Sequence, residues 1–228
     1  MDLLNFEVIG DYWQVFLRGL SLTVFLTLVT MVLATVMAIP LALARLSELK
    51  LIRWPANVFV EFMRATPLIL QLIYIYYVLP TAGIRLDPIT AAITGLSLHY
   101  AAYLSEVFRG GIQSIQKGQL EAALSLGLSR YLAFRKVILP QATRVVLPTL
   151  GNYLISLFKD TSLASVVTVQ ELMFSGQIIA ARNFQYFTVY TVTAILYFAV
   201  CYPSGLAVRA LEDYTRKGWV AKDAKAKG

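Results

Sequence analysis

The feature that most restricts the fold is an uncharged run from Leu20 to Ala44, which lies between Arg18 and Arg45. An α-helix needs about 20 mostly apolar residues to cross the hydrocarbon core of a bilayer. The run is long enough for one crossing. Helices suit the bilayer because they satisfy every backbone N–H and C=O internally. The sequence therefore predicts a transmembrane helix here.

The composition of the whole chain indicates an integral membrane protein. Of its 228 residues, 58% are hydrophobic and 14% are charged, whereas a soluble domain has about 25% charged residues. This argues against a soluble enzyme and against a nucleic-acid partner. The net charge of +7 instead reports orientation, since cytoplasmic loops collect Lys and Arg. A single cysteine, Cys201, argues against an intrachain disulfide or a cysteine metal cluster, and no metal site is expected.

Four further apolar stretches predict an all-α polytopic protein with five transmembrane helices, at about residues 20–44, 65–84, 88–108, 137–158 and 183–208. The segment 161–181 is apolar only in patches and carries Gln170 and Glu171, so it is predicted to be a short helix near the membrane surface. Five spans place most basic residues on the side of the C-terminus, which predicts an outside N-terminus and a cytoplasmic C-terminus. Residues 1–215 form one transmembrane domain, and residues 216–228 form a basic, frayed tail. No basic signal-peptide region precedes the first span, so no cleaved leader is expected.

The longest predicted cytoplasmic loop, residues 110–136, has a helical pattern of leucines and small residues. Gly127 is placed to end a first helix, and Ser129 is placed to cap a second one. A bent helix pair with a small-residue face fits a groove on another protein. The alternative is an amphipathic helix that rests on lipid headgroups.

The residues of this loop resemble the EAA loop of ABC importer permeases. The family pattern is E-A-A-x3-G-x9-I-x-L-P, and the chain matches it from Glu121 to Pro140, with Val137 in place of the isoleucine. The resemblance covers about residues 12–212. It points to the polar amino-acid permeases of the histidine and glutamine type, on the segments 64–68, 101–103, 105–106, 109–112, 117–119, 139–142 and 159–163.

The resemblance implies a permease subunit in the bacterial cytoplasmic membrane, without catalytic activity of its own. It implies as partners a second permease chain, either the same or a homologous one, a cytoplasmic ABC ATPase dimer, an external solute-binding protein and surrounding lipid. The coupling helix would lie at about residues 118–128, and the implied coupling residues are Gly118, Glu121, Ala122, Ala123, Gly127 and Pro140. The chain has no G-x-x-x-x-G-K-[ST] phosphate loop. ATP and magnesium are therefore expected on the partner ATPase, with no cofactor on this chain.

Two Glu-x-x-Arg pairs stand at predicted inner helix ends, Glu61 with Arg64 and Glu106 with Arg109. Residues spaced i, i+3 share one helical face. One interpretation is an ion pair within each helix, with its charged ends in the interface. The other is an inner gate, in which the pairs exchange partners between the second and third spans.

Polar residues inside spans are candidate pathway residues because their burial in lipid is costly. His99 lies near the predicted midplane, as either a neutral, hydrogen-bonded histidine or a substrate contact. Thr66 offers a hydroxyl. Asp160 is a candidate to contact the ammonium group of the substrate, and Ser162 is a candidate to contact its carboxylate. Asp160, placed near the outer edge, has the alternative of a surface charge beside Lys159 or lipid.

The solute class depends on the residue after the Gly-Asn pair of the fourth span. In the resembled family it is often glutamate, which suits basic amino acids. Here it is Tyr153, so a neutral or acidic polar amino acid is preferred. An ectoine-like zwitterion is the alternative.

Two other functional classes have less support in the sequence. An intramembrane enzyme is disfavoured, since the sequence has neither H-E-x-x-H nor G-x-S-x-G. An ion-coupled secondary transporter or channel predicts acidic residues at midplane depth, whereas Glu61, Glu106 and Asp160 fall at the edges of the predicted spans.

Overall fold

A computed structural model describes the backbone of residues 6–226 and the side chains of residues 7–215. Every regular element in that part of the chain is a helix, which confirms the predicted all-α class. The helices are α1 (Phe6–Leu46), α2 (Lys50–Ala65), α3 (Leu68–Ile73), α4 (Pro88–Gln113), α5 (Lys117–Ser125), α6 (Arg130–Ala133), α7 (Leu139–Asp160), α8 (Leu172–Asn183) and α9 (Tyr186–Ala226). Single π-helical turns extend α3 over Tyr74–Val78 and α6 over Phe134–Ile138, and 3₁₀ turns follow at Leu79–Ala82 and Thr161–Val167.

The centre of the bundle is the pairing of α1 with α4. Buried alanines lie on both helices, and leucines fill the space between them and their neighbours; these residues are Ala34, Ala38, Ala92, Leu26, Leu72, Leu96 and Leu104. Small residues allow helix backbones to approach closely, which is how membrane helices gain packing energy without a hydrophobic driving force. The opposite face of α1 exposes Val32 and Val36, each 62% accessible, as expected for a lipid-facing surface.

Two helices, Glu7–Leu46 and Tyr186–Thr215, are long and apolar enough to cross a membrane, and two bent pairs meet the same test together. One pair joins α2 to Leu68–Ala82 at 105°, and the other joins residues 130–167 to α8 at 52°. Among the described residues this gives two candidate spans, or four if each bent pair is one span. The helix α4 is not among them, although its 26 residues extend about 39 Å at 1.5 Å per residue. The span count and the orientation stay predictions.

The segment 161–181 contains the short helix α8, as expected, but it is packed inside the bundle and does not lie on its outer face. Its depth in the membrane stays a prediction. Leu172 and Glu171 have no accessible surface, and Ile179 has 1%. The segment packs against α1 and α9, and a Cβ on Gly176 would lie 2.8 Å from the hydroxyl of Thr193. The segment therefore lies inside the bundle and continues the path of α7 after a bend.

The hydrogen bonds of Glu171 show how a carboxylate can lie in the interior of this bundle, where the sequence suggested a position near the membrane surface. Its carboxylate caps α8 by accepting from the backbone N–H groups of Met173 at 2.9 Å and Phe174 at 2.8 Å. The hydroxyls of Tyr197 and Thr23 donate to it at 3.0 and 3.4 Å. A buried polar group is tolerated when its hydrogen bonds are made, so this acidic residue does not require solvent.

The C-terminal part of the chain also differs from the prediction. The backbone of α9 stays helical to Ala226, where a frayed tail was expected from residue 216. Side chains beyond Thr215 lie outside the described residues.

Candidate translocation and coupling sites

The helix α5 occupies the predicted coupling loop. It ends as expected at Gly127, which has a φ of +81°. There the N–H of Gly127 donates to the carbonyl of Leu124 at 2.9 Å, and the N–H of Leu128 donates to that of Ala123 at 3.2 Å. This pair of bonds is a Schellman stop, and glycine adopts its left-handed conformation without steric cost. The predicted role of Gly127 as a helix end is confirmed.

The second half of the loop leads back into the bundle. Ser129 caps α6, since its hydroxyl oxygen accepts from the N–H of Leu132 at 3.3 Å, as predicted. The π-helical turn then leads to α7, with Pro140 in its first turn. Gln141 donates to the side-chain carbonyl of Gln119 at 3.3 Å, so α5 is held directly against the start of α7.

The implied coupling residues on α5 divide between two faces. Ala123 is 3% accessible and faces the protein, whereas Gly118, Glu121 and Ala122 are exposed. A Cβ on Gly118 would meet no atom within 4 Å, so this chain does not itself require glycine there. Leu126, 84% accessible, adds an apolar contact to the exposed side.

Glu106 is the centre of an ionic cluster at the end of α4. Its carboxylate contacts Arg109 at 2.7 Å within α4, and Arg64 of α2 at 3.1 Å. Glu61 lies farther from Arg64, at 3.7 Å. The structure thus contains both the intrahelical pair and a contact between the second and third predicted spans.

A third guanidinium in this cluster was missed by the sequence interpretation. Arg45, at the end of α1, contacts Glu106 at 2.7 Å, and its side chain is only 6% accessible. It also donates to the side-chain oxygen of Asn57 at 2.8 Å and to the hydroxyl of Ser105 at 3.4 Å. In the sequence, Arg45 is recognisable only as the charged residue that ends an apolar run. Its partners cannot be read from the sequence because they are 12 to 61 positions away.

A second cluster surrounds His99. Its Nδ1 lies 3.0 Å from the side-chain oxygen of Gln71. The amide nitrogen of Gln71 donates to the hydroxyl of Thr66 at 2.8 Å and to the carbonyl of Met63 at 2.9 Å. His99 is therefore hydrogen-bonded to an amide side chain. The sequence analysis did not include Gln71 among the candidate pathway residues. It is a polar residue in the apolar run LILQLI, so the criterion that selected His99 would have selected it too.

Asp160 is half-buried at the end of α7, and its depth in the membrane stays a prediction. Its carboxylate accepts from the hydroxyl of Tyr100 at 2.7 Å. Tyr100 is twelve residues into α4, about 18 Å from its start at 1.5 Å per residue. The bond to the buried Tyr100 favours the pathway interpretation of Asp160 over that of a surface charge.

Aromatic rings join the two clusters. The ring of Tyr103 lies 4.9 Å from His99 and 6.2 Å from Tyr153, and Tyr153 lies 6.3 Å from Tyr100. The guanidinium of Arg64 stands 5.7 Å above the ring of Tyr103. Thr66, His99, Tyr153 and Asp160 thus belong to one connected polar and aromatic surface. Ser162 is half-buried in the following 3₁₀ turn.

Comparison with protein families decides the class of the chain. Residues 31–217 match the protein family described as "Binding-protein-dependent transport system inner membrane component". The chain belongs to this family. Membership confirms a membrane permease subunit without catalytic activity and disagrees with the ion-coupled alternative.

Curated relatives cover most of the chain. It is 44% identical over 185 residues to the probable amino-acid ABC transporter permease protein YckA of Bacillus subtilis, covering 81% of this chain and 82% of that one. It is 39% identical over 203 residues to the L-cystine transport system permease protein TcyB of the same organism, with coverages of 89% and 87%. It is 43% identical over 165 residues to the glutamine transport system permease protein GlnP of Escherichia coli, with coverages of 70% and 75%.

Solved structures share the fold. A chain from the crystal structure of an amino acid ABC transporter with histidines superposes with a TM-score of 0.88 at 33% identity, covering 92% of this chain and 99% of that one. A chain of the MetNI methionine ABC transporter superposes with a TM-score of 0.70 at 20% identity, covering 88% and 98%. The second likeness concerns the fold alone.

Proposed function

We propose that this chain is the permease subunit of an ATP-driven importer that moves a polar amino acid across the bacterial inner membrane. The family supports the transport class, and the names of the relatives support an amino-acid solute. The observation that carries the proposal is the exposed EAA helix α5, whose Glu121 and Ala122 face away from the bundle. A cytoplasmic ATPase dimer binds this face and holds the ATP and magnesium.

The connections of α5 give a route for coupling. The helix follows α4 after a short link, and it is bonded to the start of α7 through Gln119 and Gln141. A displacement of α5 by the ATPase therefore moves α4 and α7 together. These two helices carry His99, Tyr100 and Asp160. The second permease chain completes the pathway, and an external solute-binding protein delivers the solute.

The solute site lies along the aromatic and polar surface. A carboxylate accepts several hydrogen bonds, so Asp160 can keep its contact with Tyr100 and also bind a solute ammonium. Ser162 offers a hydroxyl to the solute carboxylate. Tyr153 presents a neutral ring, which favours a neutral or acidic amino acid over a cationic one.

The ionic cluster below this surface forms the inner gate. Arg64 contacts Glu106 across two helices and also stands over Tyr103. When α2 and α4 separate, Arg64 loses the interhelical contact and keeps Glu61 as a partner on its own helix. The gate therefore opens by exchange of ion pairs.

The coupling part is tested by tagging the chain in its native membrane and measuring the ATPase that copurifies. Glu121→Lys is expected to reduce ATPase recovery at least tenfold while membrane insertion is unchanged. Glu212→Lys, an exposed charge reversal on α9, is the matched control and is expected to retain the ATPase. Equal recovery in both variants would refute α5 as the docking helix.

The transport part is tested by uptake of labelled solutes into cells that express this chain with its partner subunits and that lack other transporters of these solutes. A polar amino acid is expected to be taken up, and Asp160→Asn is expected to lower uptake at least tenfold. Lys159→Gln, at the neighbouring exposed position, is expected to have little effect. Uptake of ectoine with no amino-acid uptake would refute the assigned solute class.

A further inference from the structure

The helix α2 lies between the first two predicted spans, and it is oriented across the following segment. It has 16 residues and meets the following apolar segment Leu68–Ala82 at 105°. If Leu68–Ala82 crosses the bilayer, α2 lies close to the membrane plane. Its buried residues are Ala56 and Val60, so only one narrow side packs against the bundle.

A stripe of large apolar side chains on α2 faces away from the protein. Leu51 is 89% accessible, Trp54 70%, Val58 48% and Phe62 60%. Their spacing of i, i+3, i+7 and i+11 places them on one side of an α-helix. Four exposed large side chains in a row indicate a partner of apolar character.

A polar stripe runs beside the apolar one. Lys50, Arg53, Asn57 and Glu61 repeat the same spacing one residue earlier, and Arg64 follows one turn later on the same side. Glu61 and Arg64 pair with each other, and Asn57 accepts from Arg45. Lys50 and Arg53 are the exposed cations of the first turns.

We infer that α2 is an interfacial helix that binds the cytoplasmic leaflet of the bilayer. Leu51, Trp54, Val58 and Phe62 enter the boundary between headgroups and acyl chains, and Lys50 and Arg53 contact lipid phosphates. Helices with Lys and Arg on one face and Trp, Phe and Leu on another lie in this boundary, and Trp is enriched there. The inference rests on the membrane location of the family and not on the identity of the solute.

This position has a consequence for the ionic cluster. The side chain of Asn57 holds the guanidinium of Arg45 at 2.8 Å, and the same guanidinium contacts Glu106 at 2.7 Å. A helix held in the lipid boundary therefore braces the ionic cluster from the membrane side.

The test uses the fluorescence of Trp54 in the full chain, reconstituted with its ATPase in lipid vesicles. Trp13→Phe and Trp219→Phe leave Trp54 as the only tryptophan of this chain, and the fluorescence of the same complex with Trp54→Phe is subtracted as the contribution of its other subunits. Phospholipids brominated near the headgroup end of the acyl chain are expected to quench it at least twofold more than lipids brominated near the chain terminus. Aqueous iodide is expected to quench it weakly.

A matched control moves the probe to the coupling loop. In the same background, Trp54→Phe with Leu126→Trp places a tryptophan at a position that is also highly exposed. It is expected to show no quenching by brominated lipid. If Trp54 behaves in the same way, the inference is overturned. Shielding of Trp54 from both lipid and iodide would show that another protein chain covers the stripe, and it would also overturn the inference.

The phosphate contacts are tested separately. Lys50→Glu with Arg53→Glu is expected to raise the quenching of Trp54 by acrylamide, a neutral aqueous quencher, at least twofold, because reversed charges are repelled by lipid phosphates. Unchanged quenching would overturn the assigned role of these two cations.

Discussion

Removing the charge of Glu106 is expected to destabilise the protein mainly through Arg45. The side chain of Arg45 is 6% accessible, whereas those of Arg64 and Arg109 are 38% and 32% accessible and reach water. Breaking a buried ion pair by removing one partner costs about 3–5 kcal/mol, because a charge is left buried without compensation. Glutamine in place of Glu106 keeps one acceptor oxygen, so the expected loss for Glu106→Gln lies near the lower end, at about 3 kcal/mol.

The assay is thermal unfolding of the purified protein in detergent micelles. For a chain of this size, 1 kcal/mol shifts Tm by roughly 2–4 °C, so Glu106→Gln is expected to lower Tm by roughly 6–12 °C. Glu61→Gln is the control. Its side chain is 67% accessible and lies 3.7 Å from Arg64. Exposed pairs contribute about 0–1 kcal/mol, so its effect is expected to be within a few degrees.

A double variant identifies the cause. Arg45→Met removes the buried guanidinium, so Glu106→Gln added to it is expected to cost at least about 1 kcal/mol less than it costs alone. Equal costs in both backgrounds would refute the assignment of the loss to Arg45. A Glu106→Gln effect no larger than that of Glu61→Gln would refute the central place of Glu106 in the cluster.

Three further predictions concern backbone positions. Gly111→Ala is expected to cost about 1–3 kcal/mol in unfolding free energy through overpacking, because its Cβ collides with α7, while Gly110→Ala meets no atom within 4 Å and serves as the control. Gly127→Ala is expected to lose about 1–2 kcal/mol from its left-handed φ, measured by the same unfolding assay. Asp87 caps α4, and its bonds to the hydroxyl and amide of Thr90 lower the pKa of its carboxyl below 3.8. The Tm difference between wild type and Asp87→Ala is therefore expected to be complete above pH 3.8 and to shrink as the pH falls through the lowered pKa.

Local features of the chain were predictable because their causes lie within a few residues. The membrane class follows from apolar runs such as Leu20–Ala44, since the bilayer admits few alternatives. The end of α5 at Gly127 and the cap of α6 at Ser129 follow from backbone chemistry over one helical turn. The EAA pattern is equally local, so the resemblance of this loop to that of the permease family was visible in the sequence.

The partners of the polar residues required the tertiary structure. The contact of Arg45 with Glu106 joins positions 61 apart, and that of Tyr100 with Asp160 joins positions 60 apart. No periodicity in the sequence encodes such a pairing, because it depends on how helices cross. Polarity alone therefore placed Asp160 near the outer edge and assigned residues 161–181 to the surface.

Sequence alone thus determined that the long apolar runs are helical, and it located the end of α5 at Gly127 and the cap of α6 at Ser129. Tertiary structure decided that Glu171 is buried, since the preference of a carboxylate for water can be met instead by four hydrogen-bond donors that packing brings to it. It also decided that α2 turns its apolar stripe outward, because the side that packs against the bundle is set by neighbouring helices and not by the hydrophobic pattern of α2 itself.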